Sequence, residues 1–523
     1  MADAIMTAPA DIFAVPEVEV ERREDGTLYL RSPKPLPRAA RAVGDWLEHW
    51  AEETPDAVFL AERRGAEAHA DWTRIDYAQA RERVRRLAGW LRATGAGPAR
   101  PLAILSENSV DHALMALAAM HAGAPAATIS TAYSLLSSDH VKLRAMVDLL
   151  DPAAIFVSDE EAYARALDAI DGAHDARLVA TTPTRRAEAV ATLTDPDPAA
   201  TEAAFRAITP ETTARLLFTS GSTGTPKAVI NTHRMLTTNQ AAHAVVCPAV
   251  AARPPVLVDW LPWSHTFGAN FVFNTALANG GAFHIDGGKP APGAIDSTVR
   301  NIREIRPTAY FNVPRGYDLL AEAAEDDPAF ARALFGADFL FYAGAALPAS
   351  CWDRLRALSA QVRGAPVPLV SSWGATETAP SSTYCHFQAE TSGNIGIPNP
   401  GTTIKLAPAA GKLEIRVKGP NVTPGYFRNP DKTAGAFDAE GFYKAGDAVR
   451  LVNPDDPARG LFFDGRVSED FKLTSGTWVS VGELRLAGID ALRPVAQDLV
   501  AAGEGCAAVR SLVVPAEAAV RSL

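Results

Sequence analysis

The stretch Leu216-Leu-Phe-Thr-Ser-Gly-Ser-Thr-Gly-Thr-Pro-Lys227 gathers the densest set of anion-binding groups in the chain. An apolar run leads into a loop where Gly221 and Gly224 free the backbone to turn several N–H groups inward. Thr219, Ser220, Ser222, Thr223 and Thr225 add hydroxyl donors, and Lys227 adds a positive charge. Together they suit phosphate. A Walker A loop requires Gly-x4-Gly-Lys-Ser/Thr, and here Thr225 and Pro226 separate Gly224 from Lys227, so that reading fails on spacing. A flexible Ser/Gly connection without a ligand is the plain alternative.

Three further groups carry chemistry. Trp373-Gly-Ala-Thr-Glu-Thr378 follows an apolar strand, which puts Thr376 and Glu377 at a strand's C-terminal end, where open α/β sheets bind ligands. A capping Thr-Glu at a helix start is the alternative there. Tyr443-Lys-Ala-Gly-Asp447 offers a carboxylate in a turn. In Asp259 to Gly268, His265 stands beside Trp263 and Phe267; it reads as a core histidine unless it faces a flat aryl ligand, which such rings would suit.

The elements that position these groups follow from periodicity. Residues 17–40 read as an extended arm over the main body rather than a core element. Helical spacing of apolar residues runs through 40–51 and 77–91. Strand–helix alternation follows, with strands at 102–105, 126–129 and 153–157 and a helix from Ser109 through Met120, as in a mostly parallel sheet. The interval 171–210 is rich in Ala, Thr, Asp and Pro and is predicted as surface helices and loops. Further strands are predicted at 256–258, 282–284, 309–311, 339–341 and 368–370, with helices at 293–305, 315–325 and 348–360. Leu413 to Lys418 alternates in period two among Gly- and Pro-rich turns, as in a small β-rich subdomain.

The chain has 523 residues, 47% hydrophobic and 21% charged, which fits a multi-subdomain globular protein and excludes a disordered one. Its apolar region 113–129 is broken by His121, Gly123 and Pro125, so no membrane span is predicted, and the first sixteen residues lack a basic and an apolar leader region. A net charge of −11 argues against nonspecific nucleic-acid binding. Cys247, Cys351, Cys385 and Cys506 are widely spaced without a Cys-x-x-Cys pair and read as reduced thiols. The expected setting is cytoplasmic, as a monomer or homodimer with small-molecule partners.

The loop at 219–227 resembles the signature of the adenylate-forming (AMP-binding) superfamily, and the other groups resemble its further motifs. The resemblance implies that Thr219, Ser220, Gly221, Ser222, Thr223, Gly224 and Lys227 embrace the β- and γ-phosphates of ATP. It implies that Trp373, Gly374 and Ala375 lie by adenine, that Thr376 touches phosphate, and that Glu377 holds Mg²⁺, a hard cation that takes oxygen ligands. Gly344-Ala345-Ala346 matches the small-residue turn against which adenine lies. Asp447 matches the acceptor of both ribose hydroxyls, where charge-assisted bonds favour a carboxylate, although Ala445 replaces the usual Thr. Arg466 matches a nucleotide contact at the hinge, with Ser468 where Asp or Lys is usual. Lys472 and the turn through Gly476 match the loop that closes beside the pantetheine tunnel, and His265 matches a histidine between the phosphate site and the acyl pocket.

Within that superfamily, Ser130 to Ser137, Asp259 to Phe267, Tyr310 to Pro314 and Phe341 to Pro348 are similar to bacterial feruloyl-CoA synthetases. The resemblance implies an acid–thiol ligase acting on a hydroxycinnamic acid through an acyl-adenylate, with ATP, Mg²⁺ and coenzyme A, and a pocket lined by Trp263, Phe267, Tyr310 and Asn312. A ligase for fatty or other aryl acids and an adenylate-binding chain with impaired turnover are the alternatives. The expected fold is α/β: a large N-terminal body of mixed and parallel sheets with helices and a small β-rich subdomain (1–465), then a hinge and an incomplete α+β C-terminal domain (466–523). The family carries a lysine late in that domain, and no lysine follows Lys472 here, so slow adenylation is expected.

Overall fold

The computed structural model describes residues 12–63, 71–219, 226–409 and 411–520, the last with interruptions at 468, 470, 476, 480, 493–494 and 517–519. Three sheets carry its main body. The seven-stranded sheet runs in the spatial order Lys227–Thr232, Thr213–Thr219, Ala126–Thr128, Leu102–Leu105, Ala154–Asp159, Arg177–Thr182 and Glu188–Ala189. All its pairings are parallel except the antiparallel hairpin at the first edge. Its central strands are apolar on both faces because helices cover both, as parallel sheets require. The helix Val110–His121, buried at every position and capped by Ser109, lies on one face; Val141–Leu150 and Ala164–Ile170 belong to the core on the other.

A four-stranded sheet orders Val256–Asp259, Ala282–Ile285, Val58–Arg63 and Trp72–Asp76. The eleven-stranded sheet joins two kinds of structure. Its end at Ala309–Asn312, Phe339–Tyr342 and Leu369–Gly374 is parallel, and its remainder, including Thr403–Ala409, Lys412–Lys418, Tyr443–Leu451 and Leu461–Arg466, is antiparallel. The β-rich stretch seen in the sequence is thus continuous with the parallel strands through Asn394–Pro398.

Two sequence expectations are corrected. The arm at 17–40 forms a hairpin, Glu19–Arg22 with Leu28–Arg31, whose second strand pairs with Thr403–Ala409; Leu28 and Leu30 are core residues there. The interval 171–210 supplies Arg177–Thr182, a strand of the seven-stranded sheet, besides the helix Pro198–Ala207. That strand has only two buried positions, too short an apolar run to stand out in an Ala/Thr-rich stretch. After Arg466 come the short pair Phe471–Lys472 and Trp478–Val479, the helix Val481–Ala491, and the hairpin Ala496–Ala502 with Arg510–Pro515. Ser350 donates a hydrogen bond to Asp490 at 2.9 Å, so this last unit rests against the main body.

Candidate active site

Two paired strands flank the stretch expected to bind phosphate. Thr213–Thr219 and Lys227–Thr232 pair antiparallel, and the last pair in register is Thr219 with Lys227. Ser220, Gly221, Ser222, Thr223 and Gly224 lie outside the described residues, but both ends of their loop are fixed at neighbouring points of a sheet. At one end the Thr219 hydroxyl is buried without a hydrogen-bond partner among the described residues. A buried hydroxyl of that kind is costly unless something completes it, which a phosphate oxygen would do. At the other end the Lys227 ammonium lies 3.2 Å from the Tyr426 hydroxyl and 4.4 Å from that ring's centroid.

The second group meets this hairpin directly. Strand Leu369–Gly374 ends in the tight turn Thr376–Thr378, and Gly374 is required there: a Cβ would sit 1.7 Å from the Pro380 carbonyl oxygen. The turn is stitched to the hairpin by Asn231, whose side-chain amide donates to the Thr376 carbonyl at 3.0 Å while its oxygen accepts from Asn270 at 2.7 Å. From the other side the Thr423 N–H donates to the Glu377 carbonyl at 2.8 Å. The Glu377 carboxylate is buried and accepts the Tyr426 O–H at 2.9 Å. The buried Tyr443 phenol faces the same carboxylate, and burial, reinforced by the Glu377 charge, pushes its pKa well up, so it stays protonated.

Asp447 anchors the third group. It pairs in register with Arg466, whose Nε lies 2.9 Å from Asp447 Oδ1, and the Trp373 indole N–H donates to Asp447 Oδ2 at 2.8 Å. Burial raises this carboxyl's pKa, and the Arg466 charge and the Trp373 N–H oppose that rise. Trp373 and Asp447, 74 residues apart, therefore meet. Gly344, with φ +84°, Ala345 and Ala346 form a turn beyond strand Phe339–Tyr342; Gly344 and Ala345 are exposed, as a turn meeting a flat ligand must be.

The aromatic residues separate into different places. His265 is exposed, and its Nδ1 accepts the Phe267 N–H at 3.3 Å, which leaves the proton of the neutral ring on Nε2. The protein packed around it lowers its pKa, so the ring is neutral at pH 7. Phe267 packs on Phe341 at 5.6 Å and Phe271 at 6.3 Å. Trp263 instead enters the core between His112, Phe273 and Phe283. Tyr310 and Asn312 lie on the opposite face of their strand from Phe311: Tyr310 meets Tyr317, and Asn312 donates to the Tyr310 hydroxyl at 3.0 Å. The four pocket residues expected from sequence thus do not share one wall, because strand alternation sends 310 and 312 away from 311.

What gathers around Phe267 is a set that sequence reasoning missed: Phe271, Phe311 and Phe341, with Tyr384 and His243 behind them. The signal was present in Phe267 and Phe271, four apart in a helical segment, and in Phe339 and Phe341, two apart in a strand. Tyr426 and Asn231 were also missed. Lys472 forms a short strand with its partner in the last unit, and Gly476 lies outside the described residues. Among the described residues no group of three or more His, Cys, Asp or Glu could hold a metal ion, and no helix is long and apolar enough to cross a membrane. A lone carboxylate such as Glu377 fits a Mg²⁺ whose remaining ligands are phosphate oxygens and water.

A sequence profile for AMP-binding enzymes matches residues 47–427, which include the hairpin, the Thr376–Glu377 turn and Tyr426. The chain belongs to this family. A feruloyl-CoA synthase from an Amycolatopsis species is 28% identical over 421 residues, spanning 79% of this chain and 76% of that one. Human long-chain-fatty-acid–CoA ligase 1 is 27% identical over 348 residues, covering 58% and 48% of the two chains. Among solved structures, ATP-bound MatB from Rhodopseudomonas palustris superposes with a TM-score of 0.70 at 22% identity, covering 91% of this chain and 89% of that one, and so shares the fold. The chain is thus an AMP-binding enzyme of the adenylate-forming kind.

Proposed function

We propose that the enzyme joins a hydroxycinnamic acid of the ferulate type to coenzyme A through an acyl-adenylate. The observation that carries the choice of acid is the likeness to feruloyl-CoA synthase along 79% of the chain.

In this reading the acid's carboxylate attacks the α-phosphorus of ATP, a P–O bond forms, and the bond to pyrophosphate breaks. The thiol of coenzyme A then attacks the acyl carbon, a C–S bond forms, AMP leaves, and the thiol proton passes to solvent. The chain's share is positioning and charge. The 219–227 loop and Thr376 hold phosphate, Asp447 accepts from the ribose hydroxyls, Arg466 contacts the nucleotide, and adenine lies between Trp373 and the 344–346 turn. Neutral His265 offers a hydrogen bond from Nε2 toward the acid rather than a charge. Mg²⁺ held by Glu377 would neutralise charge building on the phosphates. Residues 1–465 form the nucleotide- and acid-binding part, and 466–523 the unit that brings Lys472 and the 476 turn to the thiol. The test is acid-dependent pyrophosphate release with ferulate against octanoate: release with ferulate supports the reading, and release with octanoate alone replaces it with a fatty-acid ligase.

A further inference from the structure

Tyr426 joins two groups that are 150 residues apart in the chain. Its hydroxyl lies 3.2 Å from Lys227 Nζ and 2.9 Å from Glu377 Oε1. An ammonium only donates and a carboxylate only accepts, so the hydroxyl's direction is forced: it accepts from Lys227 and gives its one proton to Glu377. The phenol is held in place independently of either group. The Tyr426 N–H donates to Thr433 Oγ1 at 3.0 Å, Val229 and Tyr426 form an antiparallel bridge, and Phe427 N–H donates to the Ala228 carbonyl at 2.9 Å. Gly425, with φ +143°, admits no side chain here, since a Cβ would lie 2.3 Å from Thr433 Cγ2. The ring itself is buried.

We propose that Tyr426 is a positioning residue: it sets the spacing between the phosphate-side ammonium of Lys227 and the metal-side carboxylate of Glu377, and keeps the two from collapsing into a direct ion pair. The inference rests on the functional reading above. It assigns Tyr426 no contact with the reacting atoms, so its removal acts on the binding of metal and nucleotide together and leaves the acid untouched.

The experiment measures Mn²⁺–ATP binding by calorimetry and Mn²⁺ paramagnetic resonance on wild type, Tyr426→Phe, Glu377→Gln and the double variant, alongside the KM for ferulate. Tyr426→Phe removes both charge-assisted hydrogen bonds of the hydroxyl, and Mn²⁺–ATP binding is expected to weaken by about tenfold or more. The KM for ferulate stays within about twofold, and the double variant is weakened by less than the product of the single effects. Unchanged Mn²⁺–ATP affinity in Tyr426→Phe, multiplicative effects, or an equal rise in the KM for ferulate overturns the inference while the functional reading stands. A wild type that binds no Mn²⁺–ATP overturns both. If Tyr426→Phe does not fold, the ligand-free unfolding of Lys227→Gln, Glu377→Gln and their double variant decides: non-additive stabilities support a link through the phenol, and additive ones overturn it.

Discussion

The two ends of the candidate site are built differently. Around the Thr376–Thr378 turn, Lys227, Asn231, Thr376, Glu377 and Tyr426 come from distant stretches and are tied by directional hydrogen bonds of 2.8 to 3.2 Å. In the aromatic cluster, Phe267, Phe271, Phe311 and Phe341 meet through ring contacts between 5.2 and 6.3 Å, with no directional bond between them. Charge and geometry therefore fix the first end residue by residue. The second requires only rings of suitable volume.

Substitutions at each end should separate function from stability. Glu377→Gln keeps the side chain's shape and its capacity to accept from Tyr426, but removes the charge offered to a cation. Pyrophosphate release is expected to fall by about 10²- to 10³-fold, with the denaturant midpoint close to wild type. A variant that loses both together would show the carboxylate to be a folding element. Phe341→Ala should behave in the opposite way. Phe341 is 1% exposed and touches Phe267, Phe271, Phe311 and Tyr384, so unfolding free energy is expected to drop by about 3–5 kcal/mol. Urea unfolding measures this, and a loss below about 1 kcal/mol would mean the rings do not pack as described.

These contrasts also explain what could be read from the sequence. Lys227, Glu377 and Asp447 stood out because their stretches resemble superfamily motifs, and the structure brings Lys227 and Glu377 to Tyr426 and Asp447 to Trp373. Tyr426 was not legible, since nothing local marks it and its role depends on partners 199 and 49 residues away. Tyr310 and Asn312 were grouped with Trp263 and Phe267 through the resemblance of the Tyr310–Pro314 stretch, and the alternation of the strand turns them away from Phe311. The sheets were legible wherever apolar runs were long, as at 102–105 and 339–342. The Leu28–Arg31 hairpin strand was hidden because Arg, Pro and Glu surround its few core residues.

A smaller effect comes from the same kind of directional bonding away from the site. Glu160 is buried; burial alone would push its carboxyl up, but the N–H groups of Thr184, Arg185, Arg186 and Ala187 outweigh that and hold it at about 2. Because this folded value lies below the ordinary 4.5, the stabilisation is full above pH 4.5 and is lost as pH falls from there toward 2. Glu160→Gln is expected to cost about 1–3 kcal/mol near neutral pH, with the difference from wild type shrinking across that acid window. A constant difference down to pH 2 would contradict the assignment.

The most direct measurement remains pyrophosphate release by the purified chain with Mg²⁺, ATP and coenzyme A, with ferulate and octanoate compared side by side. Release that depends on ferulate and not on octanoate is the predicted result, joining a fixed nucleotide end to an aromatic acid end. Release with neither acid, or with octanoate alone, would contradict it.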